Sequence, residues 1–342
     1  MSFNEVIGQA LPVKLLKNML SQQQINHAYL FAGPAGVGKE FVAKQFIKAL
    51  NCTENELDAC EKCISCRKFA SNNHPDVIEI TPEGKQIKID QIREIQQNIS
   101  YKPYESDWKV YLFKEAEKMN LQAANSLLRI LEEPPAYAII ILLTLKEELL
   151  LPTITSRCQI IRFRPLKTKE IKNELINRWG LSSVQAERRA LLAGGSLGRA
   201  VSFTEDDSVL TVREEVLAAV KKILDFDIVE IFEFAQQLLT YKENLNYVFE
   251  ILITFYRDLL IYKQIKSLEL VINFNNEQEL LELSSKYRFG ELEKIIKLIT
   301  ETAEIVKKTN VNLQLALEVM LLKIKGRGEI KVGRDNCSRN NL

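Results

Sequence analysis

An apolar pentapeptide, Ala28–Ala32, runs straight into Gly33-Pro34-Ala35-Gly36-Val37-Gly38-Lys39-Glu40, and a helical pattern begins at once. The spacing is G-x-x-x-x-G-K, set between a strand and a helix, which is the context that gives this motif meaning. Glycines let backbone N–H groups wrap a phosphate, the helix N-terminus favours negative charge, and the lysine reaches the outer phosphates. Gly33, Gly36, Gly38 and Lys39 are therefore the candidate nucleotide-binding residues. The plainer reading is a glycine-rich turn without a ligand.

Further strands are expected at Val77–Ile80, Val110–Phe113, Ile139–Leu143 and Ile160–Phe163. They are short and rich in Ile, Val, Leu and aromatics, as strands covered on both faces should be. Helical segments alternate with them. Val42, Ala43, Phe46, Ile47 and Leu50 share one face of 40–50, and Ala124, Leu128 and Leu131 share one of 121–133, which has Asn120 as N-cap and Pro134-Pro135 as stop. The pattern predicts a parallel sheet flanked by helices. After Pro165 no convincing strand follows. Short helices are expected from Thr168, Ser182 and Ser196, then longer ones from about Asp207 to Ile324. The chain has 342 residues, too many for one ordinary core. The expected domains are an α/β sheet domain over 1–165, a small helical domain over 166–206 and an all-α domain over 207–325. A polar, basic tail over 326–342 is expected to be disordered.

The phosphate loop departs from a working one. The position after the lysine should be Ser or Thr, whose hydroxyl ligates magnesium, and it is Glu40. The strand Val110–Phe113 should deliver an aspartate for the same ion, and it delivers Lys114 followed by Glu115. A protonated lysine has no lone pair for a metal. Glu40 and Lys114 thus occupy the two magnesium-side positions with opposite charge. They either pair, taking the metal's place, or remain two solvated charges that never meet.

Four of six cysteines crowd together as Cys52, Cys60, Cys63 and Cys66, spaced C-x7-C-x2-C-x2-C. Four thiolates so close suit a tetrahedral structural zinc, with an iron–sulfur cluster or free thiols as alternatives. Cys158 and Cys337 carry no metal signal. His27 and His74 read as structural, and Trp108 and Trp179 as packing residues. Apolar residues make up 46% and charged residues 27%, the balance of a soluble globular protein. A net charge of +1 gives no global attraction for nucleic acid. The N-terminus lacks the layout of a signal peptide, and apolar runs such as Ile139–Leu145 are too short to cross a bilayer. A cytoplasmic protein without membrane contact is expected.

Phe3–Gln9, the phosphate loop, the cysteine module, Lys118–Pro135 and Leu151–Cys158 together resemble the AAA+ subunits of bacterial DNA polymerase III clamp loaders. The resemblance covers most of residues 1–205. It implies a AAA+ sheet domain, a helical lid and a C-terminal collar that holds subunits together. It implies that Val6, Ile7 and Gly8 lie near an adenine, that Thr144 is a first sensor and that Arg199 is a second. Ser156-Arg157-Cys158 matches a motif whose arginine reaches the ATP of a neighbouring subunit. Within this family the gamma/tau motors keep Ser/Thr and an acidic pair where this chain has Glu40 and Lys114. The departures therefore resemble the delta-prime class, which donates an arginine finger and is not required to hydrolyse ATP. The implied partners are gamma/tau and delta in a hetero-oligomeric ring, with the sliding clamp and primed DNA reached through it. The implied cofactor is a structural zinc, and nucleotide binding stays open. Two competitors remain: an active clamp-loader ATPase with unusual motifs, and a zinc-dependent DNA-binding module.

Overall fold

The computed structural model describes residues 2–327 apart from 55–56, 206–207, 269, 275 and 309–310. Most of the expected tail, Cys337 and the junction at 206–207 lie outside the described residues. The described chain divides into two compact units, 1–204 and 205 onward.

The first unit holds a five-stranded, all-parallel sheet. Its strands are β1 (Ala28–Ala32), β2 (Val77–Ile80), β3 (Lys109–Phe113), β4 (Ala138–Thr144) and β5 (Gln159–Arg162), in the order β2-β3-β4-β1-β5. β1, β3 and β4 are buried along their whole length. Their apolar residues alternate between two cores, as the two-residue period of a strand requires. Tyr29, Phe31, Val110, Leu112, Ile139, Ile141 and Leu143 pack on one side with α1 (Ala10–Ser21) and α2 (Lys39–Leu50). Leu30, Tyr111, Phe113, Ile140 and Leu142 pack on the other. They meet α4 (Ile89–Asn98), α5 (Leu121–Glu132) and the short α6 (Pro152–Thr155) there. The short α3 (Ile64–Ala70) follows the cysteine run. This is the α/β arrangement expected of a AAA+ module.

Asn120 caps α5 by accepting from the Ala123 N–H, as the sequence suggests. The buried face of α5 centres on Ala123, Leu127 and Ile130, with Ala124 and Leu131 beside it and Leu128 only half-buried. It is therefore wider than the stripe expected from 124, 128 and 131. Three helices, α7 (Thr168–Trp179), α8 (Ser183–Leu192) and α9 (Leu197–Glu205), complete the unit. Gly194-Gly195, both in the left-handed region, separate α8 from α9.

The second unit is all-α, from α10 (Ser208–Lys222) and α11 (Ile228–Thr240) through α12 (Leu245–Ile265) and α13 (Glu277–Ser285) to α14 (Phe289–Lys308) and α15 (Leu313–Lys325). α12 is its axis. Its 21 residues bury Leu252, Phe255, Tyr256 and Leu259 in one core with Val216, Phe234, Ile295 and Leu321. Among the described residues no helix is long and apolar enough to cross a membrane.

His74 ties the cysteine module to the sheet domain. Its Nδ1 accepts from the Asp76 N–H, so Nε2 carries the proton and faces the hydroxyls of Ser65 on α3 and Ser106 at 3.1 and 3.2 Å. The Asp76 carboxylate accepts from the backbone N–H groups of Tyr104, Glu105 and Ser106. Burial holds the imidazole below its usual range, against the pull of Asp76 and Glu105. A group with a depressed folded pKa contributes stability above its unfolded value, and that stability is lost as pH falls below it. The denaturant midpoint should therefore drop as pH falls below about 6.5. His74→Gln should flatten that dependence, and equal slopes in both proteins would count against the assignment.

Candidate functional site

The C-terminal end of β1 opens into a cavity of about 640 Å³. Its walls come from the phosphate loop (Ala35–Glu40), the loop after β3 (Lys114, Glu115, Glu117), the end of β4 (Leu143, Thr144), the N-terminal Val6 and Ile7, and Leu197, Gly198 and Val201 of α9. A crevice beyond the carboxyl ends of parallel strands is where open α/β sheets bind ligands.

The loop is held on both flanks. Buried Gln9 donates from Nε2 to the carbonyls of Val37 and Arg164 and accepts from the Arg164 N–H. Gly33 donates to the Thr144 carbonyl at 3.2 Å. A Cβ there would lie 2.6 Å from the Phe163 carbonyl oxygen, so this glycine serves close packing of loop on sheet. The Gly36 carbonyl accepts from the Gly198 N–H at 3.0 Å, and a Cβ on Gly36, at φ +70°, would strike the Ser196 hydroxyl. Gly38 leads into α2 with open space on its free side. The Lys39 ammonium folds back onto the carbonyls of Gly33 and Pro34. Burial lowers its pKa, and the nearby Glu117 carboxylate opposes that shift. One oxygen of Glu117, Oε2, is buried with no hydrogen-bond partner among the described residues.

Glu40 and Lys114 meet. Lys114 Nζ lies 2.7 Å from Glu40 Oε1 and 2.7 Å from Glu79 Oε2. Lys44, one turn beyond Glu40, completes the set at 3.0 Å from Glu40 and 3.2 Å from Glu79. Two acids and two bases thus alternate around a closed ring of zero net charge. Burial alone would lower Lys114, but its hydrogen bonds to Glu40 and Glu79 hold it above the usual lysine range. Burial alone would raise Glu40, but Lys114 and Lys44 hold it below the usual carboxylate range. Magnesium demands an octahedron of oxygen donors. Here the one carboxylate at the loop is committed to two ammonium groups, and the facing strand offers a cation. The two positions that should ligate that ion do not fit it.

Thr144 lines the cavity and donates to the Lys146 carbonyl, while Glu115 lines it from a left-handed backbone at φ +52°. Arg199 is not among the cavity-lining residues; Arg178 of α7 is, beside Glu174 at 3.6 Å and with its guanidinium over the Trp179 ring, 5.6 Å from the centroid. Glu79, Lys44, Glu117, Arg178 and Gln9 were not singled out from sequence. A charged residue inside the four-residue apolar strand Val77–Ile80 is the signal that points to Glu79, and the i,i+4 spacing of Glu40 and Lys44 is the other.

Arg157 lies away from this cavity, just after α6. Its guanidinium donates to Glu132 Oε1 at 2.8 Å and to the Thr153 carbonyl at 2.9 Å. The Ser156 hydroxyl donates to the same carbonyl at 3.2 Å. The arginine is thus fixed, yet its side chain remains about one-third exposed, at 35%.

The sulfurs of Cys52, Cys60, Cys63 and Cys66 all lie within 4.8 Å of one another. Four sulfurs about 2.3 Å from one zinc ion stand about 4 Å apart, so the set fits a closed tetrahedral shell. Backbone N–H groups of Cys60, Lys62, Cys63 and Cys66 point at the sulfurs at 3.2–3.4 Å. Burial would raise the Cys63 thiol, but N–H donors from Cys66 and Thr53 bring it down to about 6, while burial and its neighbours push Cys66 up.

Two family models match, one described as "DNA polymerase III, delta subunit" over residues 8–167 and one as "DNA polymerase III, delta subunit, C terminal" over 208–326. The subunit delta' of Bacillus subtilis DNA polymerase III is 37% identical over 60% of this chain and 62% of its own length. The tau subunit of the same organism is 30% identical over 94% of this chain and 61% of its own. The chain thus spans about three-fifths of either relative. A solved gamma-subunit-related protein of Thermotoga maritima aligns at 21% identity with a TM-score of 0.42, over 93% of this chain and 100% of that one.

Proposed function

Because the chain belongs to the DNA polymerase III subunit family that contains delta-prime and tau/gamma, we propose that it is a clamp-loader subunit of the delta-prime kind. In this reading it does not hydrolyse ATP, and it presents Arg157 to the nucleotide of a neighbouring tau/gamma subunit. The observation that carries the reading is the ion pair between Glu40 and Lys114. Phosphoryl transfer depends on neutralising charge on the transferring group, mostly by metal and cationic side chains. A site whose two metal-side positions neutralise each other lacks that means. Arg157, held at the surface by Glu132 and Thr153, keeps a guanidinium available to a partner. The four cysteines are assigned to a structural zinc, and the second, all-α unit to assembly with tau/gamma and delta. Contact with the sliding clamp and primed DNA is made through that assembly.

A motor reading draws on the retained Gly38-Lys39, the open cavity and the match to tau across 94% of the chain. One experiment separates the two. The isolated chain should turn over ATP no faster than buffer, yet co-purify stoichiometrically with tau/gamma and delta. Turnover by the isolated chain that disappears in Lys39→Ala would overturn the non-hydrolysing reading.

A further inference from the structure

The Arg157 guanidinium is held from two helices at once, by the Glu132 carboxylate at the end of α5 and by the Thr153 carbonyl within α6. Both anchors stand on fixed ground. Ile130 and Leu131 of α5 and Ile154 of α6 are buried in one core. Pro134-Pro135 stop α5 just past Glu132, which places that carboxylate on the last residue of the helix. The Ser156 hydroxyl donates to the same Thr153 carbonyl and closes the end of α6. A guanidinium has five N–H donors in a rigid fork. The two anchors take one donor each, from different nitrogens. Three donors remain for an acceptor outside the chain.

We propose that Glu132 is a positioning residue for Arg157: it orders the guanidinium before a neighbouring subunit arrives, so that the finger meets the partner's nucleotide already in its working geometry. This role rests on Arg157 acting in trans, as the proposed function does. Charge works against it. Glu132 Oε1 lies 2.8 Å from the guanidinium and offsets part of the field that a transferring phosphoryl group would feel, and the exposed Glu133 stands next in the chain. Geometry works for it. A free arginine side chain loses rotamer freedom when it docks, and a group already held near its place avoids that loss at the transition state. What Glu132 contributes is therefore an acceptor in a fixed position, and its negative charge is incidental.

The test is single-turnover hydrolysis by a loader reconstituted with tau/gamma and delta, read across a range of ATP concentrations. Glu132→Ala should lower the limiting rate by about tenfold, as loss of positioning does, and leave the half-saturating ATP concentration unchanged. Glu132→Gln should regain most of that rate, because its amide oxygen can accept the same N–H. Adding Glu132→Ala to Arg157→Ala should cause no further loss, and the thermal midpoint of each isolated variant should stay within a few degrees of the parent chain. A Glu132→Ala rate equal to or above the parent's, with Arg157→Ala slow, overturns the positioning role and leaves the finger in place. A loss that persists in the Arg157→Ala background, or a Glu132→Gln rate as low as that of Glu132→Ala, also overturns it. Unchanged turnover with Arg157→Ala removes the finger, and the positioning role with it.

Discussion

Arg157→Ala should slow clamp- and DNA-stimulated ATP turnover at the interface it serves by about 10³-fold, the lower end of what an arginine finger supplies. The measurement is single-turnover hydrolysis by a loader reconstituted with tau/gamma and delta. The effect is large because a guanidinium stabilises charge that grows only in the transition state. Assembly should survive, since among the described residues the Arg157 guanidinium bonds only Glu132 and Thr153. An exposed ion pair of that kind adds little to stability. Arg157→Lys should recover little, because an ammonium lacks the planar fork. Glu132→Gln should cost less than Arg157→Ala, because it loosens the guanidinium without removing it. Unchanged turnover with Arg157→Ala in an intact complex would reject the finger assignment and favour the motor reading.

The five strands were legible because a parallel sheet covered on both faces needs short, continuous apolar runs, and Ala28–Ala32 and Val77–Ile80 are bounded as the sequence suggests. Helices α8 and α9 were legible from the pattern that starts at Ser182 and from Gly194-Gly195, which separate them. Helices α1 and α4 were not singled out. In α4, polar residues outnumber the buried Ile92 and Ile95, so amphipathic spacing is all that marks it. Helix α3 was hidden within the cysteine run, where ligand spacing dominates the reading.

For the site, motif spacing could name Glu40 and Lys114, because a phosphate loop fixes where magnesium ligands must come from. It could not supply Glu79 and Lys44, which turn a pair into a closed ring. Glu79 sits on the strand beside β3, in register with Leu112, and strand order is not written in any local pattern. Arg199, matched to the second sensor by resemblance, is a different case. Arg199 follows Gly198, whose backbone is held by Gly36, and the cavity is lined there by Leu197, Gly198 and Val201. The guanidinium that lines the cavity is Arg178, two helices earlier on α7.

Removing the metal should have the largest structural effect. The purified chain should carry one zinc per molecule, and Cys63→Ser with Cys66→Ser should abolish it. The reason is how little else orders this module. Its own core is Ala59, Cys63 and Cys66, with Cys52 and Cys60 partly buried against them. The seven-residue α3 is well below the length at which an isolated helix holds together in water. A structural zinc site of four thiolates contributes about 10–16 kcal/mol of apparent binding energy at neutral pH, far more than the module's apolar contacts can replace. Strong chelation should therefore open the region 52–70 to proteolysis while the sheet, whose cores draw on residues outside it, stays folded. The disturbance should also travel to the cavity. Asp58 accepts from the Phe3 N–H at 3.2 Å, and buried Lys48 of α2 pairs with Glu61 at 2.9 Å. Releasing Asp58 frees the segment that carries Val6 and Ile7, so amide protection of residues 3–9 against hydrogen exchange should fall along with the zinc content. Retained protection after complete zinc loss would separate the two and confine the metal to a local role. A chain that carries iron in place of zinc, with visible absorbance that bleaches on reduction, would replace the zinc assignment with a cluster.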